Sequence, residues 1–67
     1  MTIAERIKEA RRVAGITQQQ LAVRAGVSVT AVARWETGAN PSSLARAALD
    51  RALPGLALSE DVTAKVG

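Results

Sequence analysis

The stretch Gln18-Gln19-Gln20-Leu21-Ala22-Val23-Arg24-Ala25-Gly26-Val27-Ser28-Val29-Thr30-Ala31-Val32-Ala33-Arg34-Trp35-Glu36 decides the fold. It reads as two short helices hinged at Gly26. Thr17, with Gln20 three residues on, makes a capping box that opens the first helix over Gln18 to Ala25. Ser28 is a good N-cap for the second, Val29 to Glu36. Gly26 stands where the backbone must turn with positive φ, a conformation that costs other residues about 1 kcal/mol or more. Leu21, Ala25, Val27, Val32 and Trp35 are apolar and face inward, and Ala22 is small enough to let the second helix approach the first closely. On the second helix Ala31, Val32 and Trp35 cover one side. Val29, Thr30, Ala33, Arg34 and Thr37 cover the opposite arc, about 140° wide at about 100° per residue. That arc holds no acidic residue.

Working outward, Thr2 with Glu5 is another capping box, which predicts a first helix from Ile3 to Ala14 with Ile3, Ile7, Ala10 and Ala14 as its buried stripe. Gly15 ends it as a left-handed cap. Gly38 ends the helix that carries Trp35. Asn40-Pro41 reads as a cap followed by a first-turn proline, opening a fourth helix from Pro41 to Leu53 with Leu44, Ala45, Ala48, Leu49 and Ala52 on one face. Pro54-Gly55 stops it. Beyond that point two readings stay open. Ser59 could cap a fifth short helix through Val66, with Glu60 and Asp61 suiting its positive end, or Leu56-Ala57-Leu58 could form an extended edge. The chain has no strand-like alternation and one aromatic residue. The expected class is all-α, a compact fold of four to five helices, with the helix-turn-helix domain over residues 1–53 and a C-terminal tail over 54–67 that holds the possible short helix.

Sixty-seven residues allow one domain with a small core. There is no cysteine and no histidine, which removes disulfides, the common metal ligands and the commonest general base. No catalytic residue, metal site, cofactor or small-molecule ligand is expected. No apolar run has the length of a membrane span and no signal peptide is visible, so the expectation is a soluble cytoplasmic protein without a membrane partner. The net charge is +3 and unevenly placed. Residues 1–51 carry Arg6, Lys8, Arg11, Arg12, Arg24, Arg34, Arg46 and Arg51 against Glu5, Glu9, Glu36 and Asp50, while the tail has Lys65 against Glu60 and Asp61. A basic helical body suits a polyanionic partner, although ordinary solvated charge explains the composition equally well.

The residues Ile7-Lys8-Glu9-Ala10-Arg11, Thr17 to Ala22, Ala25-Gly26-Val27-Ser28, Val32, Trp35-Glu36, Gly38 and Asn40-Pro41 resemble the Cro/phage-repressor (XRE) family of helix-turn-helix regulators. The resemblance covers about residues 3–53 and implies a lambda-repressor-like fold that lays its second motif helix in the major groove of double-stranded DNA. It places Ser28, Val29, Thr30, Ala33 and Arg34 at base edges, and Thr17, Gln18, Thr37 and Asn40 at phosphates. It makes Arg11 and Glu36 an internal pair tying the first helix to the end of the third. The chain departs from the family after Gly38, where Ala39-Asn40 replaces the usual lysine or arginine, and in the leucine spacing of the fourth helix. The implied function is a phage or bacterial transcriptional regulator, a repressor of Cro size acting as a homodimer on an operator. A protein-interaction module built on the same helices is the alternative.

Each residue also has a plainer reading. Trp35 lies on the inward side with Val32 and reads as core rather than as a base-stacking group. Arg34 reads as a DNA contact ahead of a solvated charge. Exposed Val29 could be a chance surface residue or could meet a thymine methyl group. Leu53, Leu56, Leu58, Val62 and Val66 exceed what a four-helix core of this size needs. They are expected at a dimer contact, with completion of the monomer core as the other reading.

Overall fold

The computed structural model describes residues 2–58. Four helices follow one another: α1 Ile3–Ala14, α2 Gln18–Ala25, α3 Val29–Glu36 and α4 Ser43–Ala52. The first three lie where their caps put them. Both capping boxes are present: Glu5 N donates to Thr2 Oγ1 (3.1 Å) and Thr2 N to Glu5 Oε1 (3.0 Å), with Thr17 and Gln20 repeating the exchange. Ser28 Oγ accepts from Ala31 N at 3.1 Å.

These three helices also end alike. The amide of a glycine bonds back to one carbonyl, and the next amide reaches a carbonyl five residues earlier: Gly15 to Arg12 and Ile16 to Arg11, Gly26 to Val23 and Val27 to Ala22, Gly38 to Trp35 and Ala39 to Arg34. This double closure satisfies the terminal carbonyls and needs a left-handed residue at its centre. Gly26, at φ +71°, is that residue in the turn between α2 and α3.

The fourth helix departs from expectation. It starts at Ser43, with Ser42 as cap accepting from Ala45 N at 3.2 Å, so Asn40-Pro41 does not open it. Pro41 lies before the cap and is buried, its carbonyl accepting from Arg46 Nε at 3.2 Å. Two good caps stand within three residues here, and burial of the proline selects the second. Leu44 is 79% exposed; it projects about 90° away from the mean direction of Ala45, Ala48, Leu49 and Ala52, which do face the core. Ala14 is likewise exposed. It opens onto a groove of about 500 Å³ between α1 and the turn after α4.

One core unites the elements. Ile7, Leu21, Val32, Leu49 and Leu58 are fully buried, joined by Ala22, Trp35, Leu53 and Leu56. Each large side chain of this kind contributes about 1.5–3 kcal/mol on burial. α3 packs on both α1 and α2, and α4 packs on α2. Leu53, Leu56 and Leu58 are therefore corrected from dimer contact to monomer core, since a small four-helix bundle leaves one side open and the chain beyond α4 folds back to close it. Val62 and Val66, and the fifth helix expected from Ser59, lie outside the described residues. The extended edge at Leu56–Leu58 is not formed. Ala57 takes φ +56°, and Leu58 N donates to Asp50 Oδ1 at 2.7 Å.

Candidate nucleic-acid interface

α3 is held by one side and presents the other. Val32 and Trp35 pack inward, and Glu36, only 5% exposed, is the buried charged residue among those described. Its carboxylate takes a two-pronged bond from Arg11 of α1, Nε to Oε2 at 2.9 Å and Nη2 to Oε1 at 3.1 Å. Arg11 Nη1 also donates to the Ile16 carbonyl, at 3.2 Å. Planar forks of this kind are the strongest and most directional ion pairs. Burial alone would raise the Glu36 carboxyl. The hydrogen bonds from Arg11 and Gln18, with the charges of Arg11 and Lys8, outweigh it and hold the group below its ordinary value of 4.5. The expected pair between Arg11 and Glu36 is thus present, and it fixes the rotation of α3 against α1.

With that side fastened, Val29, Thr30, Arg34 and Thr37 are exposed and Ala33 is half-buried beside them. Val29 keeps 45% of its surface in solvent. Ser28 is exposed at the front of the helix, its oxygen occupied by Ala31 N but its proton free to donate. Glu36 is the only acidic residue between Thr17 and Asn40, and it is buried and neutralised. The outer face of α2 and α3 therefore shows the exposed cations Arg24 and Arg34 with no competing carboxylate.

The residues expected at phosphates divide. Thr17 is exposed at the N-terminus of α2, where its hydroxyl can donate beside unpaired first-turn amides. Gln18 stands next to it but is half-buried, and its Nε2 donates to Glu36 Oε1 at 3.1 Å. Asn40 is exposed at the entry to α4. Thr37 is exposed, and its hydroxyl turns back on its own helix, donating to the Arg34 carbonyl at 2.9 Å while its amide bonds the same oxygen at 3.1 Å. Sequence reading missed both commitments. The Thr37 contact spans three residues and was legible as a hydroxyl turning back on its own helix. The Gln18 contact spans eighteen residues and had no local signal.

A helix-turn-helix family model matches residues 7–54. The chain belongs to that family. It is a helix-turn-helix domain of the Cro/XRE type, a DNA-binding regulatory module whose motif helices are α2 and α3. Domains of this family bind DNA and are not catalysts. The matched span stops short of Leu56 and Leu58, which this helix-turn-helix chain adds to the same core. The chain has no significant match among curated proteins or solved structures. Among the described residues, no helix is long and apolar enough to cross a membrane.

Proposed function

We propose that this chain is a sequence-specific regulator of transcription that occupies a double-stranded operator as a homodimer and represses from it. The observation that carries the reading is the acid-free outer arc of α3, held in place by Glu36 and Trp35 on its inner side. Arg34 is the direct reader, through guanine O6 and N7. Val29 and Ala33 supply methyl contacts, and Ser28 and Thr30 supply hydroxyls. Thr17, Gln18 and Asn40 set the domain on the phosphate backbone. A single recognition helix reads only a half-site, so a two-fold pair would address half-sites about 34 Å apart, roughly 10 base pairs. Pairing would run through the C-terminal segment that carries Val62 and Val66, since the leucines before it close the monomer core.

The test is selection of bound duplexes from random DNA, followed by Arg34→Ala on the recovered site. The expected loss is about 1–3 kcal/mol with relaxed specificity at one base pair. Equal losses on selected and scrambled duplexes would reduce Arg34 to a phosphate contact. Failure to enrich any sequence would favour a protein-interaction module. Sedimentation equilibrium tests the pairing: two chains per selected duplex are expected, and one chain on an asymmetric site overturns the dimer.

A further inference from the structure

α2 and α3 of the motif are joined by a polar contact besides their turn and their apolar packing. Gln18 is the first residue of α2 and Glu36 the last of α3. The Gln18 carboxamide donates through Nε2 to Glu36 Oε1 (3.1 Å), an oxygen that also accepts from Arg11 Nη2 (3.1 Å). A carboxylate only accepts, so this bond dictates which way round the carboxamide sits: nitrogen toward Glu36, oxygen away. The amide nitrogen carries a second proton. With the first proton committed inside, the second is the amide's remaining donor, on the residue that follows the exposed Thr17 at the N-terminus of α2. We infer that Glu36 is a positioning residue for DNA binding, which presets the Gln18 carboxamide so that its remaining N–H meets a backbone phosphate.

The inference rests on the reading of Gln18 as a phosphate contact. It adds that the contact is preorganised from α3 and braced from α1, since Arg11 holds the carboxylate that holds Gln18. A free glutamine side chain has several rotatable bonds and two amide orientations, and ordering it on binding would consume part of the gain from one hydrogen bond. Held by Glu36, it is ordered before DNA arrives. The ion pair therefore carries a binding role in addition to its stabilising one.

The experiment uses a selected duplex in which each phosphate in turn is replaced by a neutral methylphosphonate. In the native protein the substitution at the Gln18 phosphate costs about tenfold in affinity, the loss of a hydrogen bond to a charged group. In Gln18→Ala that phosphate no longer matters. The expected result is that Glu36→Ala, which removes the acceptor and is measured below its melting transition, also loses sensitivity at the same phosphate, and that the Gln18→Ala/Glu36→Ala pair binds no more weakly than Gln18→Ala alone. Full sensitivity retained in Glu36→Ala would overturn the positioning role and leave Gln18 as an unaided contact. No phosphate lost in Gln18→Ala would overturn the contact itself.

A measurement on the native chain stands apart from folding of the variants. The two Nε2 protons of Gln18 give separate resonances. One should be displaced and slow to exchange in the free protein and stay so on the duplex, while the second moves only when DNA is added. Release of the first proton on binding would show that Gln18 leaves Glu36 to reach DNA, and the inference would fail.

Discussion

α1 is fastened to the rest of the molecule at two places by different chemistry. Near its C-terminus Arg11 forks onto Glu36 of α3, and Gln18 of α2 completes the cluster. Nearer its N-terminus Ile7 lies in the apolar cluster with Leu49, Leu53, Leu56 and Leu58, with Arg6 Nη2 bonding the Leu56 carbonyl at 2.6 Å. The polar fastening is directional. It fixes how α3 is rotated, and so which residues face outward. The apolar fastening is non-directional; it excludes water and supplies most of the stability, but many arrangements of leucines would serve. Interface geometry thus depends on a few charged atoms, and persistence of the fold depends on the leucines.

Breaking the polar fastening has the largest expected effect. Arg11→Ala strands a carboxylate that is 5% exposed, and the expected loss is about 4 kcal/mol. Glu36→Ala should cost less, about 2 kcal/mol, because the Arg11 side chain is 25% exposed and can turn to water. In a domain this small each kcal/mol moves the midpoint by about 4–8 °C. Urea melts followed by Trp35 emission measure both, and a reversed order would refute the buried-charge account.

Breaking the apolar fastening comes next. Leu58→Ala removes a fully buried side chain, and about 3 kcal/mol should be lost, equally at every protein concentration. A loss that deepens on dilution would return Leu58 to a subunit contact.

The acid response is the smallest and separates the two fastenings. The folded Glu36 carboxyl lies below its ordinary 4.5. A depressed carboxyl stabilises the fold above its unfolded value, and the contribution disappears as pH falls through the folded value. Stability should therefore decline downward from about pH 4.5, and the decline should be shallower in Glu36→Gln but unchanged in Leu58→Ala. Glu5 and Glu9 are also held low, by the Thr2 backbone amide and by Arg12 respectively. Both lie toward solvent, where screening weakens their linkage. An equal acid slope in Glu36→Gln would remove Glu36 as its source.

The sequence by itself determined α1, α2 and α3 to the residue, because their boundaries are set by contacts spanning three to five residues: two capping boxes, the Ser28 cap, and glycines that can turn left-handed. It also made legible the acid-free arc of α3, whereas the pairing of Arg11 with Glu36, across twenty-five residues, was implied by the family resemblance and not by any local signal. The start of α4 was less legible, since Asn40 and Ser42 are both sound caps and only burial of Pro41 separates them. The leucines after α4 look the same in sequence whether they face a partner or their own core. Tertiary structure alone decided that Leu53, Leu56 and Leu58 close the core and that Leu44 does not. It alone brought Arg6 to Leu56 across fifty residues and Gln18 to Glu36 across eighteen. The physical reason is range: caps and turns are completed by neighbours in the chain, whereas the direction of an apolar face or a carboxamide is fixed only when distant elements have packed against it.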